Sequence, residues 1–159
     1  MASVSYQTRR DEIETYFDRT AADAWAALTS DAPVSRIRRT VRRGRDAMRE
    51  TLMSWLPEDL TGSTLIDAGC GTGTLAIEAA QRGAEVVAVD LSPTLVNLAR
   101  ERLRDMNQTL DVTFLVGDMR DMDLGSFDYA VAMDSLIHYN VADGVRTLEA
   151  IAEQIHNKM

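Results

Sequence analysis

Hydrophobic spacing divides the chain into two parts. From Thr8 to Thr29 the apolar positions Ile13, Tyr16, Phe17, Ala24, Trp25 and Leu28 recur at intervals of three and four, which predicts an amphipathic helix broken near Thr20. Tyr16, Phe17 and Trp25 are read as core, with one wall of an apolar pocket as the alternative. Ser30 to Ser35 is turn chemistry, and Ser35 is placed to cap a second helix. Ile37, Val41, Met48, Leu52, Trp55 and Leu56 form one stripe of that helix over residues 36–56, closed by Pro57. Beyond Thr61-Gly62-Ser63 the pattern changes to short apolar runs. Thr64 to Ala68, Glu85 to Asp90, Val112 to Val116 and Phe127 to Met133 read as buried strands. Helix-forming stretches separate the first three: Thr74 to Arg82, then Pro93 to about Met106 behind the cap Ser92. A last amphipathic helix, Asp143 to Asn157, turns Val145, Leu148, Ile151, Ala152 and Ile155 inward. Strands alternating with helices predict an α/β fold, a parallel sheet of about four strands preceded by N-terminal helices.

Charge changes the picture in one place. Of the net charge of −8, residues 1–60 contribute nothing, with 10 arginines against 10 acids, so the acidity sits on the strand-bearing part. That balance argues against nucleic acid as a partner, because phosphate binding relies on a basic face. The local exception is the second helix, where seven of the fourteen residues from Arg36 to Arg49 are arginine. Arg38, Arg42, Arg45 and Arg49 share one face. They are read as a solvated face, with a docking surface for an anion such as a carboxylate as the functional alternative. No apolar run approaches the roughly 20 residues of a membrane-spanning helix, and Met1 to Arg10 lacks a signal-peptide core, so a cytoplasmic protein is expected. The lone Cys70 cannot staple the fold, and no Cys/His cluster has metal-ligand spacing.

Candidate chemistry centres on Asp67-Ala68-Gly69-Cys70-Gly71-Thr72-Gly73, where a strand ends in an acid and three glycines lead into a helix. Glycines there permit a tight turn and close approach of a ligand to the main chain. From Gly71 the run also fits the dinucleotide fingerprint G-x-G-x-x-A, with Asp90 at the next strand end, so NAD is one reading. Asp67 opposes it, since a carboxylate at the turn repels a pyrophosphate and suits a ligand carrying an amino group. Asp90 is placed to accept hydrogen bonds from ribose hydroxyls. Asp118 follows the tip of the third strand, and His138 lies just past the fourth, at the sheet edge where open α/β sheets place their chemistry.

Asp-x-Gly-x-Gly-x-Gly resembles the first motif of the class I S-adenosylmethionine (SAM) dependent methyltransferases, whose fold is a Rossmann-like sheet. Tyr16-Phe17-Asp18 with Trp25, the arginine-rich helix leading to Gly44-Arg45, Val89-Asp90-Leu91-Ser92-Pro93, Gly117-Asp118-Met119 and Met133 to Tyr139 sharpen that likeness. Together they resemble the magnesium-protoporphyrin IX O-methyltransferases of chlorophyll and bacteriochlorophyll biosynthesis, in their purple-bacterial branch. The resemblance implies SAM as cofactor, held by Asp67, Gly69, Gly71, Gly73, Asp90, Leu91, Ser92, Asp118, Met119 and Met133, with Asp118 and Met119 at the adenine. It implies methyl transfer to a propionate of magnesium protoporphyrin IX, with His138 as the catalytic candidate and Tyr139 as a weaker one for the pocket wall. Another small acceptor, or SAM binding without turnover, are the alternatives. Residues 1–60 would form a cap on the substrate side and residues 61–159 the SAM-binding core. The family's sheet has seven strands and four are countable here, so the chain is expected to be truncated after the fourth strand and its helix. Tyr129 to Met133 would then be an apolar sheet edge, a liability for aggregation or a dimer contact. The resemblance also implies a magnesium chelatase subunit as a partner, and peripheral contact with a membrane is compatible with the sequence.

Overall fold

The computed structural model describes residues 4–156. A helical rod leads: α1 (Val4–Thr15), a π-helical segment (Tyr16–Thr20) and α2 (Ala22–Leu28). The break expected near Thr20 is thus a widened turn, a feature that often marks functional sites in helices. After α3 (Arg36–Ser54), capped by Ser35, come β1 (Thr64–Ala68), α4 (Thr74–Gln81), β2 (Glu85–Asp90), α5 (Pro93–Asp105) and β3 (Val112–Val116). The chain continues through β4 (Tyr129–Val131), a short 3-10 turn (Leu136–His138) and α6 (Val141–Ala152).

The four strands form one parallel sheet in the order β3-β2-β1-β4. Ile66 of β1 aligns with Val87 of β2 on one side and Ala130 of β4 on the other. Because side chains alternate along a strand, the sheet builds two cores. Leu65, Val86, Ala88 and Phe114 pack with Leu75, Ala79, Val96 and Ala99 of α4 and α5 on one face. Ala68, Val89 and Met119 pack with Ile151 of α6 on the other.

Three elements depart from the sequence pattern. The fourth strand is shorter than the apolar run 127–133. At its start the Asp128 carboxylate accepts from the Thr64 amide at 2.9 Å, and at its end Asp134 turns into the left-handed region at φ +57°. Helix α6 stops at Ala152 because the chain bends back to the sheet, where Ile155 bridges Phe127 in parallel and partly covers the outer edge. Asn157, the last position of the predicted helix, lies outside the described residues. The apolar stripe of α3 is also only half used. Leu52 and Leu56 join the core beside the buried Met53, whereas Ile37 and Trp55 stand 80% and 74% exposed.

Helix α5 fastens the N-terminal rod at both ends. Asp18, in the π segment, accepts from the Thr94 amide at 2.8 Å and the Ser92 hydroxyl at 3.1 Å. Arg102 donates to Ala26 and Thr29 carbonyls at the end of α2. Hydrogen bonds to Thr94 hold the Asp18 carboxyl below its usual range, so its contribution is present above pH about 4 and is lost as pH falls through that depressed value. Asp18→Ala is expected to cost about 1 kcal/mol, as loss of a helix cap does, lowering the midpoint of thermal unfolding by about 2–4 °C.

Candidate functional site

The C-terminal ends of β1, β2 and β4 open into a cleft of about 820 Å³, part of it open to solvent. Gly69 and Gly71 of the glycine turn form the floor, and Gly69, Gly71 and Gly73 have φ of +82°, +53° and +80°. A Cβ on Gly69 would stand 2.2 Å from the Ser135 Cβ, and one on Gly73 2.8 Å from the Phe114 ring. At both positions the protein's own packing excludes a side chain, which holds the turn tight against the sheet.

Asp67 sits under this turn, 2% exposed, and its Oδ2 has no hydrogen-bond partner. Burial first, then the neighbouring Asp90 charge, pushes its carboxyl up to about 7, against a weaker opposing pull from the Ala76 amide. An orphaned buried carboxylate facing a cleft is a seat for a cation with N–H donors. Asp90 closes the turn from β2: its Oδ2 accepts from the Gly71 amide and its Oδ1 from the Ser92 amide, both at 2.9 Å. Burial raises its pKa, and the amides of Ser92 and Gly71 oppose the rise.

Leu91, Met119 and Met133 line the cleft, together with Asp67, Gly69, Gly71 and Asp90. Three predicted binding residues do not. Gly73 is packed against Phe114 and Ala99, and Ser92 is fully buried as the cap of α5. Asp118 lies behind the cleft wall, where both its oxygens accept from the Tyr6 hydroxyl at 3.0 Å. Tyr6 is fully buried, stacked 5.7 Å from Tyr139 and covered by the Arg120 guanidinium at 4.1 Å. A tyrosine among polar residues near the N-terminus gives no periodic signal, so nothing in the sequence flags it.

The opposite wall comes from the N-terminal rod. Ile13, Phe17 and Trp25 line the cleft, so the pocket-wall alternative replaces the core reading, and Tyr16 beside them is 52% exposed. Phe17 meets Trp25 edge-on at 5.6 Å and His138 at 4.9 Å. The indole nitrogen of Trp25 reaches over Gly71. Of the arginine face, Arg45 alone lines the cleft, paired with Asp134 and stacked 4.2 Å from the centre of the Trp25 ring. His138 is half-buried, and desolvation lowers its pKa, so the imidazole is neutral at pH 7. Burial keeps the Cys70 thiol protonated.

A ligand ammonium bound at Asp67 requires the ionised carboxylate. Affinity for such a ligand is therefore expected to rise as pH passes through about 7 and to level off about one unit above, with a proton released on binding below that plateau. Calorimetry in two buffers of different ionisation enthalpy measures that proton, and Asp67→Asn is expected to abolish its release.

Residues 65–157 match the family described as a methyltransferase domain. Over 153 residues the chain is 52% identical to the magnesium-protoporphyrin O-methyltransferase of Rhodobacter capsulatus, covering 96% of this chain and 68% of that one. The protein of the same name from Synechocystis is 30% identical over 88% of this chain and 62% of its own. The chain thus spans about two thirds of these relatives. The crystal structure of magnesium protoporphyrin IX methyltransferase from Synechocystis with bound SAM matches with a TM-score of 0.87 at 27% identity, over 92% of this chain and 72% of that one.

Proposed function

The chain belongs to the magnesium-protoporphyrin O-methyltransferases within the methyltransferase-domain family, and on that premise we propose that it transfers the methyl group of SAM to a propionate carboxylate of magnesium protoporphyrin IX. The product is the monomethyl ester. The observation that carries the cofactor half is the partnerless Asp67 oxygen beneath the left-handed glycine turn at the cleft floor. An uncompensated buried carboxylate repels the pyrophosphate of NAD and receives the amino group of SAM. Asp90 takes the ribose hydroxyls through its remaining lone pairs, and Leu91 and Met119 close on the adenine. When bound, SAM supplies a methyl carbon made electrophilic by its sulfonium sulfur.

The residues of the chain then have to place the acceptor and exclude water. A propionate has a carboxylic pKa of about 4.3 by analogy with Glu, so it is ionised at neutral pH and no group need remove a proton. Catalysis is in-line positioning and desolvation of the anion. Phe17, Trp25 and Met133 supply apolar walls suited to a planar macrocycle. His138, neutral at the cleft rim, orients the acceptor by hydrogen bonding or by meeting its magnesium through the imidazole. Residues 1–60 act as the cap on the substrate side.

A labelled-methyl assay with magnesium protoporphyrin IX tests this reading. Label is expected in an ester of the porphyrin, and a His138→Gln variant is expected to lose rate without changing affinity for S-adenosylhomocysteine. SAM binding with no Soret-band shift on adding porphyrin would instead favour another acceptor. Among the described residues no helix is long and apolar enough to cross a membrane.

A further inference from the structure

The four arginines on one face of α3 do different work. Arg42 donates to the carbonyls of Ala27, Leu28 and Ala32, which close the end of α2. Arg49 spans Asp46 and Glu78. Arg38 is exposed. Only Arg45 is turned into the cleft, with its side chain 15% exposed.

Its setting is that of an anion receptor already holding a substitute. One terminal nitrogen, Nη1, is spent on Asp134. A guanidinium carries five N–H groups, and its planar fork suits a carboxylate. The face of Trp25 fixes its plane, and the same indole reaches over Gly71, which links the cation to the cofactor turn. Asp134 enters from the opposite side of the cleft in a left-handed conformation, just past β4. A half-buried cation of this kind has lost part of its hydration before any ligand arrives, so a second carboxylate meets a pre-oriented, partly desolvated partner.

Building on the proposed function, we propose that Arg45 receives a carboxylate of the acceptor, and that Asp134 is the internal counter-ion occupying Arg45 until the acceptor arrives. The carboxylate it holds is the propionate that is not methylated. An anion clamped by a guanidinium has its lone pairs engaged and is a poor nucleophile, so Arg45 sets the register of the macrocycle while the other propionate reacts. Arg45 is then a positioning and specificity residue for acidic acceptors.

The test is a Soret-shift titration in the presence of S-adenosylhomocysteine, which permits binding without reaction. The probes are magnesium protoporphyrin IX and its dimethyl ester. The unaltered protein is expected to prefer the diacid by about tenfold or more, the scale of one charged hydrogen-bonded contact. Arg45→Gln removes that preference, leaving affinity for the ester and for S-adenosylhomocysteine within about twofold. Asp134→Asn, which frees the guanidinium and tolerates the left-handed backbone, tightens diacid binding. In turnover, Arg45→Gln raises KM more than it lowers kcat. If Arg45→Gln alone fails to fold because Asp134 is left uncompensated, Arg45→Gln with Asp134→Asn removes both charges and is read the same way. Retained preference for the diacid in the variants that lack Arg45, or their equal weakening towards diacid and ester, overturns the proposal while leaving the porphyrin reading intact. No shift with either porphyrin on the unaltered protein overturns both.

Discussion

Replacing Asp90 with alanine is expected to lower affinity for S-adenosylhomocysteine by at least about 100-fold. Two consequences combine. On the ligand side, hydrogen bonds to a charged acceptor contribute about 1.5–3 kcal/mol each, so losing two from the ribose hydroxyls removes about 3–6 kcal/mol. On the protein side, the Gly71 and Ser92 amides lose the acceptors that draw the glycine turn and the start of α5 together. The turn loosens, and the cradle no longer presents one shape to the ligand. Asp90→Asn keeps one carbonyl oxygen and is expected to fall between the two proteins. Calorimetric titration of the three is read beside their thermal melts: alanine lowers both affinity and melting temperature, and asparagine, which keeps one acceptor and sets an NH2 donor against the other amide, lowers both by less. Unchanged affinity in the alanine variant would remove Asp90 from the site.

Gly69→Ala is expected to be the most destabilising single-methyl change in the core of the site. At φ +82° an alanine carries about 1–2 kcal/mol of backbone strain. Its methyl would also stand 2.2 Å from the Ser135 Cβ, and Ser135 is held by its hydroxyl on the Ala68 carbonyl at 2.8 Å. Displacing it adds about 1–3 kcal/mol. The sum, about 2–5 kcal/mol, is a large part of the stability of an ordinary domain and corresponds to a fall in melting temperature of about 4–20 °C. Gly125→Ala is the matched control. Its φ is +96°, yet an added Cβ would meet nothing within 4 Å, so only the strain remains. Equal losses in the two variants would show that the contact with Ser135 contributes nothing.

How far this molecule is legible in its residues depends on the range of the interactions. The bounds of β1, β2 and β3 coincide with the apolar runs, because strands buried in a parallel sheet are continuous apolar segments bounded by turn residues. The glycine turn and Asp90 are legible for the same reason: their geometry is set by neighbours within the βαβ unit. Long-range partnerships are not. Asp118 stands past the end of the expected strand, yet Tyr6, 112 positions earlier, takes its carboxylate. Tyr16, Phe17 and Trp25 carry the helical period of a core stripe, but periodicity does not distinguish an apolar core from an apolar wall facing a cleft. Arg45 looks like its three neighbours on the helix face, and only the arrival of Asp134 from beyond β4 singles it out. The apolar run overstates the fourth strand because Ala132 and Met133 are apolar for another reason; Met133 faces the cleft rather than extending the strand.

The most direct test is a calorimetric titration of the unaltered protein with S-adenosylhomocysteine, repeated with NAD. The glycine turn, the partnerless Asp67 oxygen and the Asp90 carboxylate together predict one site filled at micromolar S-adenosylhomocysteine, and no heat from NAD. Saturable binding of NAD with silence towards S-adenosylhomocysteine would contradict the assignment of the cleft to an adenosyl sulfonium.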